Sequence, residues 1–325
     1  MKSSFFILLV TLLSLNTSLF GQDEKVDIMK RAKSGDAVAQ YGLGLMYNTG
    51  RGVPLDHPEG SKWMRKAAEQ GHAEAQFALS LMYGFGRGVP YDLLQASKWV
   101  RKAADQGHAQ AQCAVGGMYA NGEAGTPKDY AEAVKWYRKA AEQEDAEAQF
   151  NLGAMYSKGR GVPRNMAEAV KWISKAAEQG FALAQSSLGD IYADGMGVPK
   201  DNAESRKWYH KAAEQGFAQA QFSLGGIYAK GQGVPVNDAE SIRWMRKAAE
   251  RGHAQAQFAV GLCYALGRMS VPEDFVMAYK WLNIAAANGH KDAKRLKAEM
   301  PKRMTREQIA EAQKLSRDWK PEDKR

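Results

Sequence analysis

The chain has 325 residues, 45% hydrophobic and 25% charged, which suits two ordinary domains or one extended repeat array. Its formal charge of +9 suggests a nucleic-acid binder, yet residues 35–288 are nearly neutral and the surplus sits in residues 289–325, with 12 Lys and Arg against 7 Asp and Glu. A stripe tracking a phosphate backbone would have to lie in the body, and two cysteines are too few for a disulfide framework.

Residues 1–21 open with Lys2, run apolar from Phe5 to Leu15 and reach Gly21, the order of a signal peptide. Asn16, Thr17 and Ser18 interrupt the run short of the roughly 20 apolar residues of a membrane span. A cleaved signal and a periplasmic or secreted location are expected, with an uncleaved signal anchor as the alternative. No Cys stands near Gly21, which excludes a lipoprotein anchor. Residues 22–34 form a lead-in.

From residue 35 to 288 one pattern recurs seven times, over 35–70, 71–106, 107–143, 144–179, 180–215, 216–251 and 252–288. Its first half carries a helical stripe such as Ala39, Leu43 and Tyr47. A Gly-x-Gly-Val-Pro turn (Gly50, Gly52, Val53, Pro54) then ends that first helix, the leading glycine taking the left-handed conformation. Asp56, Asp92, Asp129, Asn165, Asp201, Asn237 and Asp274 are N-caps of a second helix. Glu59, Gln95, Glu132, Glu168, Glu204 and Glu240, three residues on, are expected to complete capping boxes, and Met277 breaks the pattern.

The second helix is marked by Trp63, Trp99, Trp136, Trp172, Trp208, Trp244 and Trp281, each with Ala four residues later. Gly44, Ser80, Gly116, Gly153, Gly189, Gly225 and Gly261 lie inside the first helix, where glycine costs about 1 kcal/mol against alanine. Close approach of the second helix explains the cost. One pair cannot bury a tryptophan alone, so the units must stack as a right-handed α/α superhelical solenoid. In such a rod Cys113 and Cys263, 150 residues apart, cannot meet and are expected free and buried. A half-repeat and capping helix close the array over 289–319, with Thr305 and Gln308 as a capping box and Ile309, Ala312 and Trp319 as its apolar face; 320–325 is a tail.

These residues, A-x-A-Q-x-x-L-G-x-M-Y, then G-x-G-V-P-x-D-x-x-E-A-x-K-W and K-A-A-E-Q-G, resemble the Sel1-like repeat family, a longer relative of the tetratricopeptide repeat. The resemblance implies an adaptor or scaffold, of a kind often exported in bacteria. A cysteine-rich branch of that family has been associated with penicillin binding, but five of the seven units here have no cysteine, and no Ser is followed three residues later by Lys.

No cofactor, metal or catalytic group is expected. The Gly-x-Gly turns follow a helix and end in Pro, unlike a phosphate loop. His72, His108, His253 and His290 recur at the start of the first helix, with neighbouring copies about 8–10 Å apart, too far to share a metal. Lys beside Trp resembles a single-strand binder, but acids stand three residues before the lysines, as in Glu132 with Lys135, so nucleic acid is not an expected partner.

By similarity to tetratricopeptide repeats, the variable first-helix positions face a concave side: Tyr41, Leu45, Phe77, Leu81, Phe85 and Phe150, then Asp190 and Asp194, then Phe222, Phe258 and Leu262. The aromatics serve either as groove anchors or as packing against the adjacent first helix. The function expected is a protein-interaction scaffold holding a peptide or protein segment on that face. A cell-wall hydrolase and a self-associating structural spacer are the alternatives, so a homo-oligomer stays open.

Overall fold

The computed structural model describes residues 22–322. The segment on which the signal-peptide expectation rests, 1–21, and residues 323–325 lie outside the described residues. Among the described residues the chain is all α, without strands, and divides into two compact units, Met1–Asn165 and Met166–Arg325. The first holds α1 (Gln22–Lys33), α2 (Ala37–Thr49), α3 (His57–Glu69), α4 (Ala73–Phe85), α5 (Leu93–Asp105), α6 (Ala109–Asn121), α7 (Tyr130–Glu142) and α8 (Ala146–Lys158). The second holds α9 (Met166–Glu178), α10 (Ala182–Asp194), α11 (Asn202–Glu214), α12 (Ala218–Lys230), α13 (Asp238–Glu250), α14 (Ala254–Leu266), α15 (Phe275–Ala287), α16 (Lys291–Glu299), a 3-10 turn (Met300–Arg303) and α17 (Arg306–Asp318).

Turn chemistry fixes where each helix begins and ends. Gly50 takes φ 71° and its N–H returns to the Met46 carbonyl, closing α2; Gly86, Gly122, Gly159, Gly195, Gly231 and Gly267 close their helices in the same left-handed conformation. Asp56 then accepts from the Glu59 N–H at 2.8 Å to open α3, and Asp92, Asp129, Asp201, Asn237 and Asp274 do likewise.

Glu59, Glu132, Glu204 and Glu240, three residues on, do not complete the expected capping boxes. Their carboxylates turn outward to a cation three residues further, Glu59 to Lys62 at 2.9 Å, Glu132 to Lys135 at 2.8 Å, Glu204 to Lys207 at 3.0 Å and Glu240 to Arg243 at 3.0 Å. An ammonium on the same face competes successfully for a carboxylate whose cap already satisfies the helix. The reciprocal box forms at Thr305 and Gln308, where no such cation stands.

Each helix pair closes around the small position of its first helix. A Cβ at Gly116 would lie 2.7 Å from Tyr137 Cδ1, at Gly225 2.6 Å from Met245 Cγ, and at Gly261 3.0 Å from Leu282 Cγ. The residue after each tryptophan therefore fills the space that the missing side chain leaves. The tryptophans lie mostly within the core, as at Trp244 (2% exposed) and Trp281 (4%). The lysine three residues later covers the ring, Lys66 lying 4.0 Å from the Trp63 centroid and Lys211 4.0 Å from that of Trp208. Both cysteines are free and buried.

A buried glutamine joins successive pairs. Gln76 donates to the Ala68 carbonyl at 3.0 Å and accepts from Gln106 at 2.7 Å; Gln112, Gln185 and Gln257 repeat the arrangement with Gln143, Gln215 and Asn288 as donors. The exception is Gln221, whose Oε1 is buried without a partner because Arg251 replaces the donating amide. Arg251 reaches instead toward Glu322 at 4.0 Å on the surface, an interaction of little value. Arg251→Gln is expected to raise unfolding free energy by about 1 kcal/mol, read by urea denaturation; an unchanged or lower midpoint would refute this assignment of the orphaned oxygen.

The ends of the array differ from the repeats. α1 packs Ile28, Met29 and Ala32 against α2, and the Gln40 amide donates to the Ala32 carbonyl at 3.2 Å, the bond Gln76 makes to Ala68. The lead-in is thus a lone second helix covering the first pair. At the other end α17 buries Ala312 fully, and Trp319 meets Trp281 edge-on at 6.3 Å between ring centroids.

Candidate functional site

The first helices carry the positions that differ from repeat to repeat, and the two units are described separately. In the first unit Phe77 (3% exposed) and Leu81 (6%) lie in a core cluster with Val100, Ala103, Ala104, Ala111 and Val115. Neither offers a surface to a ligand, because α5 and the next first helix close over them. Tyr41, Leu45 and Phe150 are half-buried, and Phe85 is 43% exposed. In the second unit Asp190 and Asp194 are exposed, while Phe222, Phe258 and Leu262 are half-buried.

The aromatics have a structural partner that the sequence reading left open. Tyr41 stacks on His72 with centroids 4.9 Å apart, Phe77 on His108 at 4.6 Å, Phe222 on His253 at 4.9 Å and Phe258 on His290 at 4.2 Å. Each histidine is the N-cap of the following first helix, its Nδ1 accepting the backbone N–H three residues on, as from Ala75 at 3.3 Å and Ala256 at 3.2 Å. Burial holds His108 and His253 below the usual histidine range, which keeps the ring neutral and Nδ1 able to accept. His253 Nε2 donates onward to Gln219 Oε1 at 3.0 Å. The recurring histidine is therefore a cap and a stacking partner, with its Nδ1 committed to the helix N-terminus.

A second tie was not legible as a site. Arg101 and Arg138 donate to the hydroxyls of Tyr119 and Tyr156 at 3.2 and 2.6 Å, Arg65 donates to Tyr83, and in the second unit Arg246 donates to Tyr264 at 2.7 Å. The invariant spacing of 18 residues between donor and acceptor was the available signal. Ser174, His210 and Asn283 stand where those arginines do, so this tie varies along the chain.

One cluster has the composition of a nucleophile site. Cys113 lies beside Asn151 and Asp145, with Glu147 and His108 near. Burial, then the Asp145 and Glu147 carboxylates, push its thiol well above the usual range, the opposite of what an attacking thiolate requires. Asp145 is itself engaged as an N-cap, accepting from the Ala148 N–H at 2.7 Å. Burial likewise raises the Cys263 thiol.

In the second unit the acids on α10 stand out. Tyr209 donates its hydroxyl to Asp190, and Asp194 lies one turn along the same helix. Partial burial raises the Asp190 carboxyl above the usual aspartate range, the Tyr209 bond opposes this, and the Asp194 charge adds to it. No three His, Cys, Asp or Glu side chains among the described residues are grouped to hold a metal, and no helix among them is long and apolar enough to cross a membrane.

The model of the Sel1 repeat family matches seven consecutive segments, 37–72, 73–108, 109–145, 146–181, 182–217, 218–253 and 254–290. A crystal structure of a Sel1 repeat protein from Oxalobacter formigenes is similar at 38% identity and a TM-score of 0.71, covering 86% of this chain and 80% of that one. The structure of c5321, a protective antigen present in uropathogenic Escherichia coli strains and displaying an SLR fold, is similar at 29% identity and a TM-score of 0.53, covering 90% of this chain and 85% of that one. No curated protein matches the sequence.

Proposed function

Because the chain belongs to the Sel1 repeat family, an all-α solenoid commonly used as a protein–protein interaction scaffold, we propose that it is a non-catalytic scaffold of the cell envelope or extracellular space. It holds a peptide or protein segment on the face formed by the first helices of its pairs.

The observation that carries this reading is the contrast between the two helices of each pair. The second helices present the same surface again and again, glutamate paired to lysine or arginine three residues on and lysine laid over tryptophan. The first helices differ, with exposed Phe85 in one unit and exposed Asp190 and Asp194 in the other. A surface that changes from repeat to repeat can recognise a particular partner, whereas a repeated one cannot. The exported location rests on the order of residues 1–21, Lys2 followed by the apolar run from Phe5 to Leu15.

The test is affinity capture from native envelope or extracellular extract with the chain from Gln22 onward, beside a variant carrying Phe85→Ala, Asp190→Asn and Asp194→Asn and shown by circular dichroism to keep its helicity. A partner held by the first and lost by the second is the expected result. Phe77 and Leu81 are unsuitable targets because their loss would loosen the core.

A further inference from the structure

The second unit contains a cleft of about 470 Å³ between its helices, walled by Ser205, Tyr209, Phe222, Ser223 and Met245, with Lys230 from the last turn of α12. Three observations bear on what enters it.

The first is charge. Tyr209, a wall residue, bonds Asp190, and its hydroxyl also interacts with Ser223, which places the Asp190 carboxylate at the cleft edge. Asp194 follows one turn later, next to Ala193 of the lining. The ion pairs of this unit join other residues, such as Lys207 with Glu204 and Arg243 with Glu240, and none within 4.0 Å reaches Asp190, Asp194 or Lys230 among the described residues. Two like charges one turn apart on a helix repel each other, and a cation from outside relieves that repulsion.

The second is an unpartnered hydroxyl. Ser205 is 1% exposed and its Oγ has no hydrogen-bond partner. At the same register Ser241 donates to the Gly225 carbonyl at 2.8 Å. Ser205 thus departs from Ser241, the other serine at this register, in the place where the cleft opens beside it. The third is the apolar wall. Phe222 and Met245, with Ile227 and Met269, suit a methylene stem or a flat cation face.

From this juxtaposition of a carboxylate pair without an ion-pair partner, an apolar wall and an unpartnered buried hydroxyl, we infer that the cleft takes a basic side chain, an arginine, from the bound segment. The guanidinium is planar and weakly hydrated, so its fork meets Asp190 and Asp194 while its stem lies along Phe222 and Met245. Lys230 suits a backbone carbonyl of the same segment. The inference rests on the scaffold reading and names the partner chemistry at one part of that face.

The probe is an acetylated, amidated peptide of sequence Ala-Ala-Arg-Ala-Ala, titrated into the chain from Gln22 onward carrying 13C-methyl methionine. Its counterpart has norleucine in place of arginine. The arginine peptide is expected to shift the Met245 and Met269 methyl signals saturably and to leave Met82, in the other unit, unmoved. Combined Asp190→Asn and Asp194→Asn, both at exposed positions and checked by circular dichroism, should weaken the response at least tenfold. Equal shifts from the norleucine peptide, an unchanged response in the variant, or no shift at Met245 and Met269 would each overturn the inference. If the wild-type chain captures a partner and this Asp variant captures it equally without an arginine response, the cleft inference fails and the scaffold reading stands. If the arginine response is intact but neither chain captures anything, the scaffold reading alone fails.

Discussion

Deleting residues 289–325 is expected to lower the melting midpoint on the order of 10 °C and to remove helical signal beyond that of the deleted segment. The cause is the face that the deletion uncovers. Tyr279, Leu282 and Ala285 of α15 share one core cluster with Ala293, Met300 and Ala312 of the terminal segment, and Trp281 meets Trp319. Exposing roughly 200–400 Å² of such surface, at about 25 cal/mol/Å², costs about 5–10 kcal/mol. A pair left with one bare face should fray, since each pair in such an array is stable only through its neighbours. Trp319→Ala in the full chain isolates one contact and should cost about 2–3 kcal/mol, less than a fully buried tryptophan because this ring is half-buried. Calorimetry on the three chains reads both effects. A truncated chain that melts with the whole one would show that α17 caps nothing.

The second large effect concerns the small position inside the first helices. Gly116→Ser is expected to destabilise the first unit by about 1–3 kcal/mol, although serine is the better helix former, because its Cβ would sit 2.7 Å from the Tyr137 ring. Nature supplies the remedy within the same chain: the second repeat has Ser80 at this register, with Val100 where the third has Tyr137. Gly116→Ser with Tyr137→Val should therefore cost less than the two changes summed, with a coupling of about 1 kcal/mol or more in a double-mutant cycle of denaturant unfolding. Additive costs would mean that close approach is not the reason for the glycine.

The parts of the fold that could be read in the sequence are those set by the backbone nearby. Gly50 closing α2, Asp56 opening α3 and Thr305 with Gln308 opening α17 depend on conformational freedom and a side chain two or three residues away. The parts that could not be read depend on how one pair stacks on the next. Phe77 and Leu81 vary in type like binding positions, yet the stacking buries them, while Phe85, one turn beyond Leu81, stays exposed. His72 looked like a bland residue at a helix start, and only the neighbouring Tyr41 ring shows why a flat cap is used there.

The covering role of α1 was within reach of the sequence, since Ala32 and Gly35 stand before Asp36 as Ala68 and Gly71 stand before His72. The glutamine tie was visible as an invariant residue of the motif, but its two partners belong to different helices. The acidic pair on α10 was legible as a departure from an otherwise apolar series; its link to Tyr209 was not.

The measurement that bears most directly on the scaffold reading is the capture experiment with a third chain added. Lys62→Ala, Lys98→Ala, Lys171→Ala and Lys207→Ala remove exposed charges from the second helices while the first helices stay intact. The account expects the partner to be retained by the wild type and by this lysine variant, and lost by the variant at Phe85, Asp190 and Asp194. A partner lost by the lysine variant and kept by the other would place recognition on the repeated face and contradict the account.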